Sequence, residues 1–336
     1  MRFQSSWWLR GGHLQTIWAA RVAARMTAQK NHFFRERWAS PDQDFIDVDW
    51  LIHEPKKVAV SDCGEPSPLL VLFHGLEGSS SSHYANAFAH HCFQDDVNLA
   101  IPHFRGCSGE INLQARSYHS GDWMEIDWIL EKFKRCHGGP VLAAGISLGG
   151  NALVRWAGEK GVDAASKVAA IASISAPLDL AACGHALGQG VNRYLYTPVF
   201  LKTLIPKALQ KIEQHPHLIN HDAIDKLKKV TTLYEFDDIY TAPVHGFSSA
   251  ADYWQQASAK PYLNCLKVPT LLLNARNDPF VPSASLPKLA DCSAFVQLWQ
   301  PRLGGHVGFS HGTLAQKLQQ MPQQVVAWLK AAALFK

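Results

Sequence analysis

One short segment constrains the fold more than any other part of this chain. Residues 141–156 read VLAAGISLGGNALVRW, so an apolar run meets a glycine–serine–glycine turn and a helix-like stretch follows. A tight turn between a buried strand and a helix leaves no space for side chains beside its apex, which explains Gly145 and Gly149. Ser147 at the apex would take a strained backbone conformation that lifts its hydroxyl above the sheet edge. The segment predicts a strand–turn–helix unit; the alternative is an ordinary helix start with Ser147 as its cap.

Short apolar runs alternate with helix-like stretches along most of the chain. The predicted strands are residues 45–51, 69–73, 97–102, 141–144, 168–173, 270–274 and 295–299, and the predicted helices are 83–94, 122–136, 149–160 and 322–334. Apolar runs bounded by Gly, Pro or polar turns suit strands that are buried on both faces of a parallel sheet. The alternation therefore predicts an α/β fold, with a mostly parallel central sheet flanked by helices.

The length and one irregular region set the domain organisation. A chain of 336 residues has room for two domains or for one enlarged core. Residues 179–258 contain helix-like pieces and no convincing buried strand, and connections this long without a role are uncommon. We therefore predict a core at residues 40–178 and 259–336, a mainly helical cap insertion at 179–258, and an N-terminal segment, 1–39, that packs on the core.

Candidate partners for Ser147 follow the last two predicted strands. A serine hydroxyl is a weak nucleophile without a base beside it. Asp278 lies just past the strand at 270–274, and His306 lies in a glycine-rich loop after the strand at 295–299. Taken singly, Asp278 would be a turn residue and His306 a loop residue. Together with Ser147 they have the order and the strand-end positions of a triad, in which His306 relays the proton and Asp278 orients the imidazole.

The turn after an early strand supplies a candidate oxyanion hole. His74 and Gly75 directly follow the strand at 69–73. An H-G turn there places a backbone N–H near the nucleophile, so we assign the two donors to the amides of Leu76 and Leu148. Side-chain identity matters little at these positions because the amide donates the hydrogen bond. We expect His74 to shape the loop and not to act as a base.

With these motifs the chain resembles the α/β-hydrolase superfamily, and more narrowly its YheT-like branch. Segments similar to the branch are residues 8–10, 13–16, 104–110, 118–121, 145–151, 237, 246–247 and 252–253. The chain departs from the branch at Ile111, where Pro is frequent, and at Trp254, where Tyr is usual. The resemblance implies a carboxylesterase-type serine hydrolase without identifying the ester. We expect short- to medium-chain acyl esters, an acyl-enzyme on the triad, and no metal or organic cofactor.

Two other functions stay open from the sequence. An alcohol that replaced water at the acyl-enzyme would make the same triad an acyltransferase or a lipase. The second alternative is a non-catalytic binding protein with a hydrolase fold, although such proteins usually lose a triad residue and this chain keeps all three. His90 and Asp95 have a spacing linked to acyltransferases, but they fall at a helix end away from Ser147. His215, His217 and His221 lack zinc-ligand spacing, so we expect no metal there.

Charge and cysteine usage restrict the partners. Lys+Arg 32 against Asp+Glu 28 gives +4, which is too small and too spread for a nucleic-acid partner. The acid-free, Arg-rich stretch before Glu36 either touches anionic lipid weakly or packs on the core with its arginines in water, and its tryptophans favour packing. Seven cysteines without regular spacing, no spanning apolar run and no secretory signal predict a cytoplasmic chain. The expected partner is a small-molecule ester, with no obligate protein partner.

Overall fold

A central sheet organises the computed structural model, which describes residues 3, 5–26, 31–51, 67–313 and 317–334. Eight strands lie in the order β1-β2-β4-β3-β5-β6-β7-β8. They are β1 Phe33–Ala39, β2 Phe45–Leu51, β3 Leu69–Phe73, β4 Asn98–Pro102, β5 Val141–Ile146, β6 Ala170–Ile174, β7 Thr270–Leu273 and β8 Val296–Trp299. β1 with β2 and β2 with β4 are antiparallel, and the pairs from β4 to β8 are parallel. The predicted mostly parallel sheet is confirmed.

The edge strand β1 is the strand that the sequence analysis missed. It lies within residues 1–39, for which we predicted packing on the core and no strand. Its sequence, FFRERWA, has three charged residues in a row, so no apolar–polar alternation marks it. An edge strand tolerates such charges because one side faces solvent. The charges find partners across the antiparallel pair, where Arg35 contacts Asp49 at 2.6 Å and Arg37 contacts Asp47 at 2.7 Å.

Helices cover both faces of the sheet. They are α1 Gly12–Trp18, α2 Ala24–Met26, α3 His83–Gln94, α4 Trp123–Cys136, α5 Leu148–Lys160, α6 Ala164–Lys167, α7 Leu180–Leu187, α8 Gly190–Leu195, α9 Thr197–Gln214, α10 His221–Leu227, α11 Leu233–Phe236, α12 Ala242–Val244, α13 Ala250–Ala257 and α14 Gln320–Leu334. A wider helical turn, Ala19–Ala23, joins α1 to α2, and another, Asp237–Thr241, joins α11 to α12. The four predicted helices correspond to α3, α4, α5 and α14.

Two apolar clusters form the core, one on each face of the sheet. Phe133 of α4 and Trp156 of α5 pack on one face. Phe88 of α3 and Val325 of α14 pack on the other. Strands β3, β5, β6 and β7 are buried along their whole length between these layers. This double burial explains why their sequences are continuous apolar runs.

The chain between β6 and β7 carries helices α7–α13 and no strand in the described residues. These helices have an apolar cluster of their own, in which Leu201, Ile212, Leu227 and Phe236 are buried. The structure thus shows a helical insertion where the strand pattern stops; its bounds as a cap domain stay a prediction. Within the part of the chain that the structure describes, no helix is both long and apolar enough to cross a bilayer.

A buried arginine ties three segments together beside β2. The Arg105 guanidinium contacts Asp44 and Asp42, both at 2.8 Å, and also Glu125 of α4. The side chains of Asp44 and Glu125 are buried. Burial raises the pKa of Glu125 to about 7, against the opposing pull of Arg105. Asp44 in turn accepts hydrogen bonds from Asn112 and from the backbone of the loop that follows, so Arg105 holds this loop in place.

The Arg105 network gives a stability prediction. Replacing Arg105 with Met leaves buried carboxylates without their cation, and we expect the free energy of unfolding to fall by about 3–5 kcal/mol. Arg135→Met is the matched control, because Arg135 forms an exposed pair with Glu131 on the same helix and its loss should cost under about 1 kcal/mol. Urea unfolding of both variants makes the comparison. Equal losses in the two would contradict the assigned role of Arg105.

Candidate active site

The turn between β5 and α5 has the geometry that its sequence predicts. Ser147 adopts φ 51° and ψ −117°, a backbone conformation that residues other than glycine rarely adopt. A Cβ at Gly145 would lie 2.4 Å from the Gly149 carbonyl oxygen, and a Cβ at Gly149 would lie 2.5 Å from the carbonyl oxygen of His74. Both glycines are therefore required by close backbone contacts. The Ser147 hydroxyl makes no capping hydrogen bond to α5, so the interpretation as an ordinary helix cap is wrong.

The three predicted side chains lie on one hydrogen-bonded line. Ser147 Oγ is 3.0 Å from His306 Nε2, and His306 Nδ1 is 2.9 Å from Asp278 Oδ2. A carboxylate can only accept hydrogen bonds, so Nδ1 carries the ring proton and donates a hydrogen bond to Asp278. Nε2 then has a free lone pair that accepts from the Ser147 hydroxyl. The structure brings together Ser147, His306 and Asp278, which are far apart in sequence.

The loop after β7 fixes the acidic end of this line. The Asp278 side chain is buried, and its Oδ1 accepts hydrogen bonds from the amides of Phe280, at 2.8 Å, and Val281, at 3.3 Å. These bonds leave Oδ2 for the imidazole. The Phe280 ring lies against the His306 ring, with centroids 4.2 Å apart and 31° between the planes. This loop therefore contacts the imidazole both through its Nδ1 and through one face of its ring.

The turn after β3 leaves one of its amides unpaired. Three of the four amides in residues 75–78 donate a hydrogen bond within the protein. The Gly75 N–H donates to Tyr84 OH at 3.0 Å, and the Glu77 N–H donates to Tyr118 OH at 3.1 Å. The Gly78 N–H donates to the Gly75 carbonyl at 2.9 Å. Among the described residues, the amides of Leu76 and Leu148 meet no protein acceptor. Both residues line the same cavity as Ser147. The two amides that the sequence assigns as oxyanion donors are thus available for a ligand.

His74 shapes this turn, as predicted. Its Nδ1–H donates to the Gly75 carbonyl at 2.8 Å, and its Nε2 accepts from the Phe104 amide at 3.0 Å. Complete burial lowers the pKa of His74 to about 3, so the ring is neutral. The carbonyl and the amide of one trans peptide point in opposite directions. Holding the Gly75 carbonyl on the His74 side therefore turns the Leu76 N–H the other way.

Glu77 links the same turn to the helical insertion. One carboxylate oxygen accepts from Tyr118 OH at 2.8 Å, and the other contacts Lys207 Nζ of α9 at 2.8 Å. The Glu77 side chain is largely buried, whereas Lys207 is about one-third exposed. The insertion is thereby fixed directly beside the Leu76 amide.

The N-terminal helix contacts both loops that carry Asp278 and His306. Gln15 Oε1 accepts from Asn277 Nδ2 and from the Gly304 amide, each at 2.9 Å. Thr16 Oγ1 accepts from the His306 amide at 2.9 Å and donates to the Gly12 carbonyl at 2.7 Å. From the sequence alone, residues 13–16 are recognised only as similar to a family segment, and this contact is not predicted. No local pattern could reveal it, because the partners lie nearly 300 residues apart.

An apolar cavity of about 150 Å³ opens beside Ser147, and we call it the first cavity. It lies between the sheet edge and the insertion. The apolar side chains around it include Leu148, Leu180, Leu187, Leu204, Phe236 and Phe280. Such walls favour a hydrocarbon ligand over a charged one.

Other candidate residues from the sequence stay apart from this site. Asp95 contacts His91 at 3.4 Å at the end of α3, and no contact joins it to His90 in the described residues. The rings of His215 and His217 lie 6.1 Å apart beside the C-terminus of α9. Among the residues that the structure describes, no group of three His, Cys, Asp or Glu side chains has metal-binding geometry.

A serine hydroxyl, an imidazole and a buried carboxylate in hydrogen-bonded order at one edge of a parallel sheet define a class of protein, the α/β hydrolases. The comparisons with known proteins agree. A profile of the alpha/beta hydrolase fold matches residues 68–313. The chain is 36% identical to "Putative esterase YheT" of Escherichia coli (strain K12) over 94% of its own length and 89% of the relative's.

More distant matches have the same fold. The chain is 27% identical to Phospholipase ABHD3 of Mus musculus over 85% of its own length and 68% of the relative's. The structure of Est1E from Butyrivibrio proteoclasticus with ferulic acid bound superposes with a TM-score of 0.53 at 12% identity, covering 88% of this chain and 99% of that one. The chain belongs to the α/β-hydrolase family, as a YheT-like member, and is a hydrolase. This excludes the non-catalytic alternative.

The close contacts at the turn give a second stability prediction. Gly149→Ala should lower the free energy of unfolding by about 3 kcal/mol or more, since its Cβ would meet the carbonyl oxygens of His74 and Phe73 at 2.5 and 2.8 Å. Gly188→Ala is the control: its nearest contact would be 3.5 Å, and we expect a change within about 0.5 kcal/mol. Chemical denaturation measures both variants. A Gly149→Ala protein as stable as the control would show that the backbone around Gly149 has room for a Cβ, contrary to these distances.

Proposed function

We propose that this protein hydrolyses carboxylic esters of short- to medium-chain acyl groups through an acyl-enzyme on Ser147. The observation that carries the proposal is the line from Ser147 Oγ through His306 to Asp278, which faces an apolar cavity beside two unpaired amides. An esterase and a phospholipase among the named relatives support the same chemistry.

In the first half-reaction the bond changes follow from the hydrogen bonds. His306 Nε2 takes the Ser147 proton while Oγ attacks the ester carbonyl carbon, and a tetrahedral oxyanion forms. The amides of Leu76 and Leu148 stabilise this oxyanion. The carbon–oxygen bond to the alcohol then breaks, and His306 gives the proton to the departing oxygen.

Deacylation repeats the steps with water as the nucleophile. His306 takes a proton from water as its oxygen attacks the acyl carbon, and returns it to Ser147 Oγ as the acid leaves. Asp278 keeps the imidazole in the correct tautomer and stabilises its protonated form through the 2.9 Å bond to Nδ1.

Acyl transfer to an alcohol on the same residues is the second candidate. The apolar walls around Ser147 favour it, because they offer a hydrocarbon alcohol a binding surface and give water few partners. The ratio of ester to free acid formed when an alcohol is added separates transferase from hydrolase.

Location and further partners stay predictions. We propose a cytoplasmic protein whose partner is a small-molecule ester, without nucleic acid or an obligate protein partner. In the N-terminal segment, Trp8 Nε1 donates to the Thr313 carbonyl at 2.8 Å, which supports packing of the segment on the core. Trp7 is 76% exposed, so a weak contact with a lipid surface also remains a prediction.

The first functional prediction concerns the nucleophile. Ser147→Ala should lower kcat for p-nitrophenyl butyrate by about 10⁴-fold or more, because no other group takes over the attack. Ser166→Ala is the matched control, since this exposed hydroxyl only donates to the Asp163 carbonyl on the surface. Turnover is followed by release of p-nitrophenol. Full activity in the Ser147→Ala protein would refute the proposal.

The second functional prediction concerns Thr16, which we propose as a positioning residue. Thr16→Val keeps the shape but removes the acceptor of the His306 amide, and a misplaced imidazole should lower kcat by about 10- to 100-fold. KM should change far less, because Thr16 does not line the first cavity and its hydroxyl is already bonded to the His306 amide and the Gly12 carbonyl. Thr16→Ser restores the oxygen and should recover most of kcat. If Thr16→Ser is as slow as Thr16→Val, the hydroxyl is not the cause.

A further inference from the structure

A second cavity, of about 310 Å³, meets the first cavity at Ser147. Both cavities are lined by Leu76, Ser147, Phe200, Phe280 and His306. The reacting hydroxyl therefore lies at the junction of two spaces. An ester carries an acyl chain on one side of its reacting carbonyl group and an alcohol moiety on the other. With the carbonyl group at Ser147, each of these two parts can enter a different cavity.

The second cavity is walled by helices outside the central sheet. Ile17 and Ala20 come from the N-terminal helical segment, Leu195 and Val199 come from α8 and α9, and Tyr196 lies between these two helices. The N-terminal wall lies outside residues 68–313, the part matched by the family profile. This wall is therefore a property of the chain that the hydrolase fold by itself does not supply.

Apart from Arg21 at the rim, the side chains with polar groups along the walls of this cavity have hydrogen-bond partners. Tyr84 OH accepts from the Gly75 amide, Tyr196 OH is 3.1 Å from His13 Nδ1, and Thr16 Oγ1 is occupied by the His306 amide. His83 donates from Nε2 to the Val307 carbonyl at 3.2 Å, and burial lowers its pKa to about 4, so it is neutral. Since these groups already have hydrogen bonds, the wall offers mainly apolar surface to a ligand. A hydrocarbon gives up no hydrogen bonds to water when it enters such a cavity, so it is the favoured occupant.

The residues that the two cavities do not share show which substituent each receives. Leu148, an oxyanion donor, lines only the first cavity, whereas Val307, which follows His306, lines only the second. The leaving oxygen must sit near His306 Nε2, since that nitrogen returns the proton to it. His306 itself lines both cavities, so the assignment of the alcohol to the second cavity rests on the two neighbours that differ, Leu148 and Val307.

The mouth of the second cavity is also apolar. Leu195 is 39% exposed and Val199 is 50% exposed. Val191, one turn before Leu195 on α8, is 61% exposed, and Tyr194 on the same helix is 80% exposed. Arg21 stands at the rim as an exposed side chain. A chain longer than the cavity would therefore continue over exposed apolar surface.

We propose that the second cavity binds the alcohol moiety of the substrate and that this moiety is an extended hydrocarbon. The preferred substrates are then esters of long-chain or lipid-like alcohols, with the N-terminal helical segment as a specificity wall. This inference rests on the proposed function. In its chemistry, the Ser147 Oγ–acyl bond forms, the acyl–oxygen bond breaks, and the alcohol leaves through the second cavity with the proton from His306.

A pair of isomeric esters tests the assignment. Octyl acetate and ethyl octanoate have the same atoms but carry the eight-carbon chain on opposite sides of the ester group. Ile17→Trp fills the second cavity from its inner wall, and Val199→Trp narrows its mouth. Leu204→Trp is the matched control, because Leu204 lines only the first cavity. Initial rates are measured by titration of the released acid, with ethyl acetate as a substrate short on both sides.

The expected result is a crossed pattern. Wild type should cleave octyl acetate with a kcat/KM about 10-fold or more above that for ethyl acetate, as eight carbons enter an apolar space. Ile17→Trp and Val199→Trp should lower kcat/KM for octyl acetate about 10-fold and leave ethyl octanoate within about 2-fold. Leu204→Trp should lower kcat/KM for ethyl octanoate about 10-fold and leave octyl acetate within about 2-fold. Retained ethyl acetate hydrolysis shows that a variant is folded, and the half-exposed Val199 site keeps the test possible if Ile17→Trp does not fold.

Three results would overturn the inference. If both second-cavity variants hydrolyse ethyl octanoate more slowly and octyl acetate at the wild-type rate, that cavity holds the acyl chain. If they affect both isomers equally or neither, it holds no specific substituent. If wild type does not prefer octyl acetate to ethyl acetate, the second cavity does not bind the hydrocarbon chain of the alcohol. A wild-type protein that cleaves none of the esters instead refutes the proposed function itself.

Discussion

The strained turn at Ser147 is the constraint on which the rest of the structure depends. Its positive φ, and the tight approach that leaves no room for a Cβ at Gly145 or Gly149, hold only because β5 is buried in the middle of the sheet and α5 packs directly behind it. Asn151 of α5 extends the constraint, donating to the carbonyls of Ser120 and Ala257 and accepting from the Ala259 amide. The loop at 118–121 and the end of the insertion are thereby fixed to the same helix.

Histidines at this edge of the sheet differ in role because they differ in hydrogen bonding. Both ring nitrogens of His74 are occupied by backbone groups, and burial keeps the ring neutral, so it can only hold the turn. His306 bonds on one side to a carboxylate and on the other to a serine hydroxyl, so a proton can move through it. The distinction follows from what each nitrogen contacts, and a count of histidines near the site would not show it.

Much of the fold and site follows from sequence, because its signals are local. Gly145 and Gly149 mark the turn, and Asp278 and His306 are found by their positions after strands. The edge strand β1 escapes such an analysis because its charges pair across strands and erase the alternation. The roles of Gln15 and Thr16 escape it because they depend on a helix docking against loops far away in sequence. The second cavity escapes it for the same reason, since its walls come from segments that are far apart in sequence.

The central claim is that Ser147 is the nucleophile, and a direct test is to trap the attack. A fluorophosphonate reacts with an activated serine hydroxyl and leaves a stable adduct that mass spectrometry can assign to a residue. The account predicts one adduct per chain, on the peptide that contains Ser147, and its loss after His306→Ala. An adduct on another residue, or labelling that is as fast without the imidazole as with it, would contradict the account.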